Sequence, residues 1–495
     1  MVRLENAIYR YPGDLPPALL NVSLEIAEGE AVCVMGANGS GKSTFAKVVA
    51  GLIKPQQGRV TLGVGKNSPI PVGILFQNPD NQMVAVTVEK EIAFALENLG
   101  VSQNEMDSKV SSTLKRFSIE HLRKRLTSEL SVGEKQRVAL SALLVFCPPI
   151  LVLDEPDSFL DQSGKELFRD QIRRLREQSP ELTIIEITQY PHVAGEYERL
   201  IVFQGGRIVA DSRPGTILQN KSFCVKCGID FDNLSNRQIE LPDELQVRKK
   251  SKTPSIARFI FDRMSFRYPG SEKFVLQNIS GEINNEGITA LVGPSGSGKS
   301  TMAMLMCGIL EPDSGNIRMI DSRGREVGKD DIKGKITAAL QQPERQFFLH
   351  TCLQEVEFGP KNFSRGLSRK SIQEFFKMTG LPFDRFFGRD PFTLSLGEKR
   401  RLAFGAILSM CPRFIIFDEP TCALDGEGVG RFTLLAKALN EVGIGVMIIS
   451  HDDEIVRSLA DKIFEFDAIG NYRMASREKY FEKTSINSTA LSGKL

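Results

Sequence analysis

The sequence predicts an α/β protein built as two phosphate-loop domains in tandem, each a mainly parallel sheet flanked by helices, with a small antiparallel sheet beside it. Three observations carry this expectation. One set of motifs occurs twice in the same order, about half a chain apart. Each copy places a short apolar run directly before a glycine-rich loop, and a helical run directly after it. Each copy also contains a second apolar run that stops at Asp-Glu. Runs apolar throughout read as parallel strands covered on both faces, and strands alternating with helices read as a layered α/β domain.

Along the chain, YRYPG (Tyr9–Gly13) opens the first copy and FRYPG (Phe266–Gly270) the second. AVCVM (Ala31–Met35) and ITALV (Ile288–Val292) are the strands expected to lead into GANGSGKS (Gly36–Ser43) and GPSGSGKS (Gly293–Ser300). KSTFAKVVAGL and KSTMAMLMCGI follow as helices, so phosphate would sit at a helix N-terminus. FQNPDNQ (Phe76–Gln82) matches LQQPERQ (Leu340–Gln346), and LSVGEKQR (Leu130–Arg137) matches LSLGEKRR (Leu394–Arg401). ILVLDEP (Ile150–Pro156) and FIIFDEP (Phe414–Pro420) carry the acidic pairs, about 120 residues beyond each loop. Residues Arg207–Thr216 read as a closing hairpin. The expected boundaries are 1–220 for the first domain, 221–256 for a linker, 257–480 for the second domain and 481–495 for a tail.

Bulk properties narrow the class. The formal net charge of +2 over 495 residues leaves no basic excess to hold a nucleic-acid backbone. No stretch approaches the roughly 18 apolar residues of a membrane span, and the N-terminus shows no signal-peptide pattern. Eight scattered cysteines, with Cys33 and Cys307 next to expected buried elements, suit a reducing compartment. Cys224 and Cys227 form an isolated C-x-x-C without a second ligand pair nearby, and the basic run Arg248–Lys252 reads as solvated linker.

The chemistry follows from residue types at these spacings. In G-x-x-x-x-G-K-[ST] the loop N–H groups wrap phosphate oxygens, which assigns Gly36, Asn38, Gly39, Gly41 and Thr44, with Gly293, Ser295, Gly296, Gly298 and Thr301, to ATP. Lys42 and Lys299 would neutralise β/γ-phosphate charge, and Ser43 and Ser300 would offer hydroxyls to Mg²⁺. Asp154 and Asp418 would hold the metal, while Glu155 and Glu419 would orient and deprotonate an attacking water. The plain alternative, helix caps or surface charge, does not account for the same pair behind both phosphate loops.

With those motifs in place, the chain resembles two ATP-binding-cassette ATPase domains fused in tandem. LSVGE and LSLGE resemble that family's signature LSGGQ, implying a helical signature subdomain. There Ser131 and Gly133, or Ser395 and Gly397, would face the γ-phosphate bound by the opposite domain. Gln77 and Gln341 match the family's Q-loop glutamine, a ligand of Mg²⁺ and water. Tyr11 and Tyr268 fall where the family stacks an aromatic ring on adenine, though an exposed core tyrosine remains the alternative. FQNPDNQ, TVEKEIAFALEN (Thr87–Asn98) and EVEFGPKN (Glu355–Asn362) further resemble the ATPase subunits of energy-coupling factor importers of vitamins or metal ions. That resemblance implies a transmembrane coupling protein and a small substrate-binding membrane protein as partners, a location on the cytoplasmic face of the membrane, and head-to-tail pairing of the two domains around two ATP. A soluble twin-cassette ATPase acting on ribosomes or nucleic acid is the competing class. A sugar-importer ATPase of similar length would have a degenerate second loop, whereas Lys299 and Ser300 are intact.

The copies also depart from the family pattern. Val132 and Leu396 replace the signature's first glycine, and Glu134 and Glu398 its glutamine. His451 occupies the family's switch position in MIISHD, whereas IIEITQY has Gln189. An amide can hydrogen-bond phosphate but cannot titrate near neutral pH. Unequal hydrolysis by the two sites is therefore expected, with Gln serving as well as His as the alternative.

Overall fold

The computed structural model describes residues 1–12, 16–63, 71–229, 239–246, 256–328, 333–363, 366–467 and 472–482. Two compact units divide the chain, with the boundary at Asp232. The first unit begins with β1 (Val2–Tyr9), β2 (Leu19–Ile26), β3 (Ala31–Met35), β4 (Gln57–Leu62) and β5 (Val72–Leu75). It continues through β6 (Ile150–Asp154), β7 (Thr183–Ile187), β8 (Arg199–Gln204) and β9 (Arg207–Ser212). Strands β2-β1-β4 form an antiparallel sheet. A six-stranded sheet has the order β5-β6-β7-β3-β8-β9, parallel except for β9. Residues of β3, β6 and β7 are almost entirely buried, as unbroken apolar runs covered on both faces require.

The second unit repeats the plan with β10 (Ile256–Phe266), β11 (Leu276–Asn284), β12 (Ile288–Val292), β13 (Ser314–Asp321), β14 (Ile336–Ala339), β15 (Phe414–Asp418), β16 (Gly445–Ile449), β17 (Lys462–Phe466) and β18 (Tyr472–Ser476). Its sheets run β11-β10-β13 and β14-β15-β16-β12-β17-β18. In each unit a helical group precedes the acidic strand. It contains Val88–Asn98, Gln103–Arg116 and Val132–Leu144 in the first unit, and Cys352–Asn362, Arg369–Met378 and Leu396–Ser409 in the second.

Strand order positions the site. In the first unit β5, β6, β7 and β3 lie side by side, so their carboxyl ends bring Gln77, Asp154, Gln189 and the phosphate loop to one edge. Ligands of open α/β sheets bind at that edge.

The expected boundaries need correction. The helix Lys221–Lys226 belongs to the first unit, where Cys224, Cys227 and Ile229 pack with Cys33 and Met35. Leu241 and Leu245 pack into the second unit's core. The expected linker of 221–256 is thus partly two packed pieces, and its basic run lies outside the described residues. The expected closing hairpin is shifted: β9 pairs with the preceding β8, and a short helix, Pro214–Leu218, follows. Phe481, expected in the tail, is buried in the second core, and 483–495 lie outside the described residues.

Candidate functional site

Each glycine-rich loop runs from strand to helix. Gly36 has φ 143° and Gly41 φ 109°, and a Cβ at either would come within 2.1 Å of Phe203 O or 2.4 Å of Ala18 O respectively. Only glycine fits a loop whose backbone turns this sharply. Lys42 Nζ donates to the carbonyls of Gly36 (2.6 Å) and Ala37 (3.0 Å), and Lys299 Nζ to those of Gly293 (2.8 Å) and Pro294 (2.7 Å). The ammonium thus lies folded over the loop that would hold the phosphates. Ser43 Oγ donates to Asp154 (3.1 Å) and Ser300 Oγ to Asp418 (2.7 Å), so both units bring the two expected Mg²⁺ ligands together. Buried hydroxyls of Ser40 and Ser297 in the loops have no hydrogen-bond partner. These residues fit ATP with Mg²⁺.

Glu155 and Glu419 follow their strands with φ 48°, left-handed for a non-glycine residue. Their amides donate to Ile187 O (3.0 Å) and Ile449 O (2.8 Å), which over-determines the turn. Burial raises Asp154 to about 6, helped by Glu155. Burial raises Glu419 to about 8, helped by Asp418, and raises Glu155 and Asp418 as well.

The two carboxylates are held differently. Glu155 accepts Gln77 Nε2 (2.8 Å) on one oxygen and Gln189 Nε2 (2.8 Å) on the other. Gln189 Nε2 also reaches Asn38 Oδ1 at 3.0 Å, spanning the acidic strand and the phosphate loop. In the second unit His451 Nε2 lies 3.4 Å from Glu419 Oε1, and the His451 amide donates to Oε2 at 3.4 Å. Two short amide bonds stabilise a carboxylate as an anion and make it a weaker base than one approached at 3.4 Å.

Tyr11 and Tyr268 stand at the heads of the phosphate-loop helices, their hydroxyls 3.4 Å and 3.1 Å from Thr44 Oγ1 and Thr301 Oγ1. Tyr9 and Phe266 brace those rings edge-on. Ser131 and Gly133 stand at the head of the helix Val132–Leu144, and Ser395 and Gly397 at the head of Leu396–Ser409. Both serines close capping boxes. Ser131 Oγ accepts the Glu134 amide (3.3 Å) while Glu134 accepts the Ser131 amide (2.8 Å), and Ser395 with Glu398 repeats this at 3.4 and 2.9 Å. The glutamates standing where the family has Gln thus satisfy the helix starts.

Three groups near the site escape motif reading. In the first unit Arg169 is buried between Asp157, just after Glu155, and Glu186 on β7, and Tyr197 donates to Glu186. A lone Glu in the apolar TIIEI was the available signal. Gly228 lies so close to Ala37 of the phosphate loop that a Cβ there would sit 2.7 Å from the alanine's. Arg400 and Gln136, at one position of the two signatures, differ in a way only position-by-position comparison of the copies reveals.

Loop, acidic strand and switch residue together define a P-loop ATPase present twice. The family model described as ABC transporter matches residues 19–158 and 276–422, and the chain belongs to that family. A Bacillus subtilis protein named as an HMP/thiamine import ATP-binding protein is 30% identical, over 94% of this chain and 89% of its own length. A Bifidobacterium longum protein named as an ABC transporter ATP-binding protein is 29% identical over 93% of this chain, which spans 64% of that relative's length. Among solved structures, an archaeal ribosome recycling factor in complex with a ribosomal stalk protein gives a TM-score of 0.63 at 20% identity, covering 95% of this chain and 89% of that one. At that identity the likeness concerns the fold. The chain is a tandem ABC ATPase, and its family hydrolyses ATP.

Proposed function

We propose that the chain is the ATP-hydrolysing motor of an energy-coupling factor importer, driving uptake of a vitamin or metal ion through a transmembrane coupling protein and a small substrate-binding membrane protein. The carrying observation is an apolar surface repeated in both units just after the Q-loop. Val84 (63% exposed) and Phe94 (46%) form it in the first unit, Phe348 (59%) and Phe358 (42%) in the second. A buried glutamate fixes each loop: Glu91 accepts the amides of Val84 (2.9 Å) and Ala85 (2.7 Å), and Glu355 those of Phe348 and Leu349 (both 2.7 Å). An apolar patch held rigid at an exposed position suits a protein partner. The import name of the Bacillus relative supports the same reading. No helix among the described residues is long and apolar enough to cross a membrane. In this reading the translocation path belongs to those partners, and this chain is peripheral on the cytoplasmic face.

In this reading the units pair head to tail around two ATP. Lys42, Asp154, Glu155 and Gln189 work with Ser395 and Gly397, while Lys299, Asp418, Glu419 and His451 work with Ser131 and Gly133. Bound Mg²⁺ supplies charge neutralisation at the β/γ-phosphates. The lysines would hold phosphate, the Ser–Asp pairs the metal and the tyrosines adenine, while Glu419, in its ionised form, would take the proton of an attacking water. Purification from detergent-solubilised membranes of the source cells should bring down small multi-span proteins with a bound solute. Val84→Glu with Phe348→Glu should release them while ATP binding is kept. A chain that comes down with ribosomes, or whose membrane association survives both substitutions, overturns the reading.

A further inference from the structure

One guanidinium in the second unit lies where three elements meet. Arg400 is 1% exposed and is carried by the signature helix Leu396–Ser409. Its Nη2 donates to the main-chain carbonyl of Gln341 at 2.7 Å, and its Nη1 to the main-chain carbonyl of Glu419. One planar fork therefore spans the Q-loop and the turn that holds the general base. Lysine cannot reproduce this, since a compact ammonium lacks the rigid two-armed geometry. The first unit has Gln136 at this position, equally buried, with neither amide atom hydrogen-bonded. There Gln77 instead reaches Glu155 through its side chain.

We propose that Arg400 is a positioning residue that ties the Q-loop to the Glu419 turn in the second unit, a tie the first unit lacks. Gln341 precedes the loop that presents Phe348 by only a few residues, with the 3₁₀ turn Pro343–Gln346 between them. Displacement of that loop is therefore transmitted through Arg400 to the backbone of Glu419, which a left-handed φ already confines to one arrangement. In the first unit Gln77 instead meets Glu155 through its side-chain amide. The two copies thus differ in how they sense the apolar surface as well as in the switch residue.

The inference rests on the reading that Glu419 carries most of the turnover, and the test separates the two. The full chain is assayed for ATP hydrolysis with its membrane partners, and nucleotide affinity is measured by equilibrium binding. Arg400→Gln and Arg400→Lys should each lower kcat roughly tenfold with KM for ATP within about twofold, because a misplaced general base costs rate rather than binding. Gln136→Met, which removes an amide without partners, should leave kcat within about twofold. Full kcat in Arg400→Lys would show that charge alone suffices and overturn the tie. So would equal losses in Arg400→Gln and Gln136→Met, which indicate packing alone. Should Arg400→Gln not fold, Arg400→Lys against Gln136→Met decides. If Glu419→Gln keeps the full rate, it is the functional reading that fails. If Glu419→Gln is inactive while both Arg400 variants turn over normally, only the tie falls.

Discussion

At the scale of single residues, the two general-base candidates occupy the same backbone conformation yet different hydrogen-bond environments. Glu155 is held by two amides at 2.8 Å, Glu419 by a histidine at 3.4 Å. Glu419→Gln should therefore abolish most ATP turnover, while Glu155→Gln retains a substantial part. Losing one transition-state contact to the γ-phosphate costs roughly 10²–10³ in rate, enough to make one site dominant. Equal loss in both variants, with binding intact, would remove the basis for unequal sites. A second consequence concerns pH. Glu419 is raised by burial from 4.5 to about 8, so the folded chain holds a proton there that the unfolded chain releases. Its protonation favours the fold fully below pH 4.5, and that contribution is lost as pH rises through about 8. In calorimetry of the nucleotide-free and Mg²⁺-free chain, Glu419→Gln should melt above the parent at pH 8, with the gap closing towards pH 5. These candidate residues could be named from the sequence because they fall in contiguous motifs. The bonds that distinguish the two carboxylates were not, since Gln77 meets Glu155 across 78 residues of chain.

At the scale of elements, strands and phosphate loops were readable because apolar runs and glycine spacing are local properties. The buried cluster behind the first acidic turn was not, because its members come from three elements. Arg169 bridges Asp157 and Glu186, whereas the second copy has Thr433, Thr421 and Ile448 at the matching positions. Breaking a buried ion cluster by removing one partner costs about 3–5 kcal/mol, whereas replacing all partners with apolar groups is often neutral. Arg169→Met should accordingly destabilise the first unit by about 3–5 kcal/mol in calorimetric or denaturant unfolding. Adding Asp157→Thr and Glu186→Ile should recover most of that loss. A single variant as stable as the parent would show that the cluster contributes nothing net.

At the scale of the whole molecule, duplication was visible from the repeated motifs, but the boundary between units was not. Composition alone marks 221–256 as polar, and the few apolar residues that dock it, Cys224, Ile229, Leu241 and Leu245, are too sparse to show a period. The proposed head-to-tail pairing makes a direct prediction at this scale. With ATP bound, Ser131→Cys should cross-link to a cysteine placed in the second phosphate loop, and Ser395→Cys to one in the first. Cross-links confined to a single unit would refute the arrangement.

The capping boxes at Ser131 and Ser395 bear on the tempo of the cycle. Each helix start already has its donors engaged by a glutamate of its own first turn, so it stays wound whether or not a phosphate is opposite. The price is a fixed negative charge at the rim that an incoming triphosphate must meet. In the proposed pairing, a closure that meets this charge is held lightly, and it reopens without any local refolding. Glu134→Gln with Glu398→Gln keeps both boxes and removes the charge. Nucleotide release from that variant should slow several-fold in a chase experiment, giving a motor that grips harder and runs slower. Unchanged release would mean that the rim carboxylates do not set the rhythm.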